Sequence, residues 1–144
     1  LAVSCARATG TGTELKPLHS VKKAVVIAKP SIGVSTREVY QGIDHCTITR
    51  RPDNDVLEDA IKEGLDEGIF PQCINVLENY TLRAYPQVEK LKAFLETDQR
   101  AQIVLMSGSG PTVFALYKSL AEARKACATL RQEGYEAYWT KTTK

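Results

Sequence analysis

The order of patterns along this chain predicts an α+β fold, a ferredoxin-like sandwich with a mostly antiparallel sheet covered by helices. Three observations carry that expectation. Apolar and amphipathic segments follow one another as strand, several helices, strand, strand, helix, strand. The two middle strands are separated only by Ser107–Pro111, too little chain for a parallel crossover, so they must form an antiparallel hairpin. No linker, repeat or low-complexity stretch breaks the order, so residues 1–144 read as a single domain.

Each element has its own signal. Ala24-Val25-Val26-Ile27-Ala28 is a continuous apolar run stopped by Lys29-Pro30, the mark of a buried strand. After Gly33, Ser35-Thr36-Arg37-Glu38 has capping-box form, with Ser35 as cap and Glu38 reaching back to it. Pro52-Asp53-Asn54-Asp55 opens a second helix, with Val56, Leu57, Ala60 and Ile61 on one face and Gly64 or Gly68 ending it. Pro71 predicts a restarted helix through Ile74, Leu77 and Leu82, and Pro86 another with Val88, Leu91, Phe94 and Leu95 inward. Ile103–Met106 and Val113–Tyr117 are the hairpin strands. Ser119-Leu120-Ala121-Glu122 is a second capping box, ahead of a helix burying Leu120, Ala123, Cys127 and Leu130. Tyr135–Thr140, after Gly134, closes the sheet.

Composition narrows the function classes. The 144 residues are 43% hydrophobic and 25% charged, a globular profile. A net charge of +2 argues against nucleic-acid or anionic-membrane partners, and Arg50-Arg51 reads as a solvated loop. No apolar run approaches the ~18 residues that span a bilayer. Cys5, Cys46, Cys73 and Cys127 form no C-x-x-C pair, and neither His19 nor His45 completes a zinc spacing. Reduced thiols in a cytoplasmic protein are expected. Leu1-Ala2-Val3-Ser4 has neither an initiator Met nor a signal-peptide pattern, which reads as the start of a fragment.

The chemistry concentrates in Met106-Ser107-Gly108-Ser109-Gly110-Pro111-Thr112-Val113-Phe114. Alternating Gly and Ser present backbone N–H donors and hydroxyls without bulky side chains, so the turn could form a concave nest for an anion. A plain Gly/Ser/Pro hairpin turn explains the same composition. The string is neither G-x-x-x-x-G-K-[ST] nor the dinucleotide fingerprint, because a strand follows it.

The wider string resembles the third motif of the GHMP kinase superfamily, the small-molecule kinases that include galactokinase, homoserine kinase and mevalonate kinase. Ala6–Leu18, Val26–Pro30, Val34–Tyr40 and Asn75–Glu78 further resemble the family that acts on 4-diphosphocytidyl-2-C-methyl-D-erythritol, in the same order along nearly the whole chain. The resemblance implies the C-terminal, substrate-side domain of a bacterial, cytoplasmic, ATP-dependent kinase. Its reaction would be phosphorylation of the substrate's 2-hydroxyl, in the non-mevalonate route to isoprenoid precursors. ATP, Mg2+ and the catalytic Lys and Asp are then expected on a preceding N-terminal domain, so this chain alone would be inactive and hold no cofactor or metal. Gly108, Ser109, Gly110 and Thr112 would line the phosphate and methylerythritol end of the site. Thr36 and Tyr40 would touch the cytosine, four residues apart on one helical face. By its pattern alone, Tyr40 reads rather as a half-buried core aromatic. Lys29 could approach a phosphate or simply lie exposed before Pro30. Thr13-Glu14 departs from a family Glu nearer the second glycine, leaving that carboxylate without an assigned role. A free-standing ferredoxin-like ligand-binding or regulatory module is the alternative.

Overall fold

The computed structural model describes residues 5–142, so the Leu1–Ser4 start and the reading placed on it lie outside the described residues. Their contacts group into two units. One comprises Lys23–Arg51 and Ile74–Lys141; the other comprises the described residues up to Lys22, Pro52–Cys73 and Thr142.

The larger unit is the expected sandwich. Strands β3 (Ala24–Lys29), β4 (Ile103–Met106), β5 (Val113–Tyr117) and β6 (Glu136–Lys141) form one sheet in the order β4-β5-β3-β6. Every neighbouring pair is antiparallel. Since β3 and β4 both run against the intervening β5, they are parallel to each other, which is the ferredoxin-like arrangement. Strand alternation assigns the two faces. Ala24, Val26 and Ala28 of β3 and Val113, Ala115 and Tyr117 of β5 point into the core.

Helices α5 (Pro86–Glu96) and α6 (Leu120–Gln132) cover that face. They contribute Val88, Leu91 and Leu95, and Ala123, Ala126, Cys127 and Leu130. An 11-residue helix such as α5 is marginal by itself. Burying each large aliphatic side chain contributes about 1.5–3 kcal/mol, so the apolar stripe holds α5 in place. Leu120, expected inside, is instead 40% exposed, because it opens α6 within the exposed stretch Lys118–Ala121. Helix α4 (Glu78–Ala84) packs on α5, and α1 (Thr36–Ile43) packs on α4.

Local capping chemistry sets the starts of α1 and α6. Ser35 Oγ accepts the Glu38 N–H at 3.3 Å, and Ser119 Oγ accepts that of Glu122 at 3.3 Å. The expected return bond from Glu38 does not form, because its carboxylate is taken by two tyrosine hydroxyls. The helix expected from Pro71 is also different. A short 3-10 turn, Phe70–Gln72, ends at Cys73 in an extended conformation, and α4 starts only at Glu78. Asn75 explains the gap: its Oδ1 accepts the Leu77 N–H at 3.1 Å, an Asx-type turn competing with helix.

The smaller unit contains a hairpin the alternation did not single out, β1 (Ala6–Thr9) with β2 (Glu14–Pro17), with left-handed Gly10 and Gly12 in its turn. Its strands are short and mostly exposed, so they lack an apolar run. Helix α2 (Asn54–Glu63) is capped by Asp53, whose Oδ1 accepts two N–H groups at 3.1 Å, and ends at Gly64 as expected. Val56 is 46% exposed, outside the inward stripe that Ala60 occupies. Helix α3 (Asp66–Ile69) packs against α2. Glu58 is buried to 5% exposure and meets Arg7 at 3.3 Å, Lys62 at 3.0 Å, and Lys16. These contacts hold its carboxyl at about 2, through hydrogen bonds from Lys16 and Lys62 first, against the opposing effect of desolvation.

Candidate functional site

The glycine-rich segment is the turn of the β4–β5 hairpin. Ser107 N–H donates to Thr112 O at 2.8 Å and Gly110 N–H to Ser107 O at 3.0 Å. Gly110 sits at φ 86°, a left-handed backbone that a side chain disfavours. Space is tight as well: a Cβ there would lie 3.0 Å from Met106 Sδ and 3.3 Å from Thr81 Cγ2, so those side chains would have to shift. The peptide between Gly110 and Pro111 is cis.

Side chains from outside the hairpin hold this turn. Asn75 Nδ2 donates to Met106 O and to Gly108 O, both at 2.8 Å. Thr81 Oγ1, fully buried, donates to Ser109 O at 3.1 Å. Glu78 Oε1 accepts the Met106 N–H at 2.8 Å, while its other oxygen lies 3.4 Å from Lys92 Nζ. The carbonyls of Met106, Gly108 and Ser109 are therefore taken by side chains, and those of Ser107 and Thr112 by backbone N–H groups. Among the described residues, no protein acceptor meets the N–H of Gly108 or Ser109. Those loop carbonyls are thus occupied while the N–H groups of Gly108 and Ser109 are not, the polarity an anion requires.

Helix α1 forms the facing wall. Thr36 Oγ1 and Ser109 Oγ lie 2.9 Å apart, joining residues 73 positions apart in the chain. Tyr40, one turn further along α1, is 59% exposed, so it is no core aromatic. Between them, Glu38 takes the hydroxyls of Tyr80 and Tyr85, each at 2.9 Å, one on each carboxylate oxygen. Those hydrogen bonds, in which each phenol donates, push both phenols above their usual value. Tyr80 can lie against α1 because position 42 is glycine: a Cβ there would be 2.0 Å from Tyr80 Cε2.

Of the residues singled out from the sequence, Thr36 and Ser109 meet directly. Gly108, Gly110 and Thr112 share the loop with Ser109, and Tyr40 shares α1 with Thr36. Lys29 Nζ is 3.2 Å from Glu136 Oε2 on the neighbouring strand, a cross-strand ion pair on the face away from the core. Asp44 caps the C-terminus of α1 in solvent. All four cysteines are free thiols. Sequence reasoning missed Thr81, Tyr80 and Tyr85, and read Asn75 and Glu78 only as part of a string. The available signal was polar residues at 75, 78 and 81, a helical spacing on the side facing the core. Among the described residues, no three His, Cys, Asp or Glu side chains group as a metal site, and no helix is long and apolar enough to cross a membrane.

Comparison with known proteins shows which family the chain belongs to. The chain is 46% identical over 132 residues to the 4-diphosphocytidyl-2-C-methyl-D-erythritol kinase of Exiguobacterium sibiricum, covering 91% of this chain and 46% of that protein. It is 40% identical over 134 residues to the kinase of the same name from Listeria monocytogenes serotype 4b, covering 92% and 45%. The chain therefore spans about half the length of these curated relatives. A crystal structure of 4-(cytidine 5'-diphospho)-2C-methyl-D-erythritol kinase superposes with a TM-score of 0.75 at 27% identity, over 94% of this chain and 48% of that one. Homoserine kinase from Cytophaga hutchinsonii shares the fold, with a TM-score of 0.63 at 18% identity, over 90% and 44%. The sequence profile described as GHMP kinases C terminal matches residues 50–136, more than half of the chain, and the chain belongs to that family.

Proposed function

We propose that this chain is the acceptor-side domain of an ATP-dependent kinase that phosphorylates the 2-hydroxyl of 4-diphosphocytidyl-2-C-methyl-D-erythritol, in the cytoplasm, on the non-mevalonate route to isoprenoid precursors. The 2.9 Å contact between Thr36 and Ser109 carries the proposal, because it makes one site from two strings that resemble that family. In this reading the exposed ring of Tyr40 packs on the cytosine, with the Thr36 hydroxyl at the base edge. The N–H groups of Gly108 and Ser109 face the diphosphate and methylerythritol end, with Gly110 and Thr112 shaping the turn.

Phosphoryl transfer is mostly positioning and stabilisation of charge. This domain orients the acceptor hydroxyl and screens part of its phosphate charge. ATP, Mg2+ and the catalytic Lys and Asp belong, in this proposal, to a preceding domain; among the described residues no three His, Cys, Asp or Glu side chains group as a metal site. Lys29, turned to Glu136 on the outer face of the sheet, has no part in it.

The decisive measurement uses the full-length protein with ATP and the cytidylyl alcohol, following ADP and the new phosphomonoester by phosphorus NMR. Turnover is expected from the full-length protein and none from residues 1–144 alone. A full-length protein that phosphorylates homoserine or mevalonate but not the cytidylyl alcohol would sink the substrate assignment.

A further inference from the structure

We infer that Asn75–Tyr85 is a positioning bracket: it holds the glycine loop with one set of side chains and α1 with another, and so sets the gap between Tyr40 and the loop. The inference rests on the proposal that these two walls form one acceptor site.

The loop side is a set of backbone clamps. Gly and Ser in a turn leave the backbone many conformations, and a peptide that flips turns a carbonyl where an N–H was. Asn75 holds the carbonyls of Met106 and Gly108, Thr81 holds that of Ser109, and Glu78 holds the N–H of Met106. With these carbonyls held back, an approaching oxyanion meets N–H groups. The clamp therefore selects the sign of the surface as well as its shape.

The α1 side uses the same short helix. Tyr80 and Tyr85 grip the two oxygens of Glu38, and the Tyr80 ring fills the space left by Gly42. Tyr80 and Thr81 are adjacent in sequence yet serve opposite walls, because successive helical residues point about 100° apart. The Thr36–Ser109 contact closes the frame. Asn75, Glu78, Thr81, Tyr80 and Tyr85 act on substrate only through the loop and α1, so they are positioning residues.

The test uses the full-length protein and steady-state kinetics. Thr81→Val keeps the shape and removes the donor; Asn75→Asp keeps the size and sets a carboxylate against two carbonyls. Both are expected to lower kcat with the cytidylyl alcohol by roughly 10- to 100-fold, the scale of a misplacement near 1 Å, with KM for ATP unchanged. Thr81→Ser, which keeps the hydroxyl, should restore most of the loss. The double variant Tyr80→Phe/Tyr85→Phe frees α1 and should raise KM for the cytidylyl alcohol while sparing kcat. Amide exchange gives a readout independent of turnover. In Thr81→Val, the protected N–H groups of Ser107 and Gly110 should exchange at least tenfold faster while Ala115, mid-strand in β5, stays protected. Unchanged kcat and unchanged exchange in a folded Thr81→Val variant overturn the bracket. An inactive wild-type protein whose Thr81→Val variant still loosens the loop overturns the acceptor-site reading instead.

Discussion

Tyr40 keeps 59% of its surface in solvent on a helix whose neighbouring residue, Val39, is completely buried. An aromatic ring held out on a rigid helix retains a flat apolar face that a heterocyclic base can cover. Under the proposed function, Tyr40→Ala in the full-length protein is expected to raise KM for the cytidylyl alcohol between about 5- and 150-fold, since base–aromatic stacking contributes about 1–3 kcal/mol. Tyr40→Phe should keep near wild-type KM, and neither change should lower the melting temperature by more than a degree or two, because the ring supports no core. An unchanged KM in Tyr40→Ala removes the stacking role. Glu38, two residues earlier, shows the limit of reading one residue at a time. Its position in an S-x-x-E string is that of a capping glutamate, yet its carboxylate binds two tyrosines more than 40 residues away.

Among elements, α1 and α4 are coupled through a close approach. Their approach is set by Gly42 beneath the Tyr80 ring. Replacing glycine by alanine in a helix ordinarily stabilises it by up to about 1 kcal/mol. Here the added methyl would fall 2.0 Å from Tyr80 Cε2, so the ring must move and the Glu38 contact with it. Overpacking typically costs about 1–3 kcal/mol, which outweighs the propensity gain. Gly42→Ala should therefore lower the melting temperature, and adding Tyr80→Ala should cancel part of that loss. A Gly42→Ala protein that melts higher than wild type would show that the two helices are not packed as described. The stretch 73–77 shows the complementary behaviour. Its apolar residues have helical spacing, but Asn75 is occupied by its own turn and by the loop carbonyls, so the helix begins late.

At the scale of the whole chain, the two units differ in what holds them together. The larger has a continuous apolar core under its four-stranded sheet. The smaller is organised around Glu58, a buried carboxylate surrounded by Lys16, Lys62 and Arg7. Its folded value of about 2 lies below the ordinary 4.5, so the charged form is favoured by folding. That contribution is fully present above the unfolded value and is lost as pH falls through about 4.5 towards about 2. Amides of α2 should therefore lose protection across this window in wild type. In Glu58→Gln they should be less protected at pH 7 and change less on acidification. An equally steep loss in both proteins would assign the acid sensitivity elsewhere.

Strand and helix types, the tight β4–β5 hairpin, the Ser35 and Ser119 caps and the glycine turn were legible in the chain, because each depends on residues a few positions apart. The sheet order β4-β5-β3-β6 realises the expected sandwich. The exposed β1–β2 hairpin had no apolar period to reveal it. Only the tertiary structure decided that Thr36 meets Ser109, that Asn75 and Thr81 turn the loop's carbonyls inward, and that three cations converge on Glu58. Hydrophobic period assigns a residue to a face. It carries no information about which distant polar group that face will meet, because such partners are selected by packing after the elements have formed.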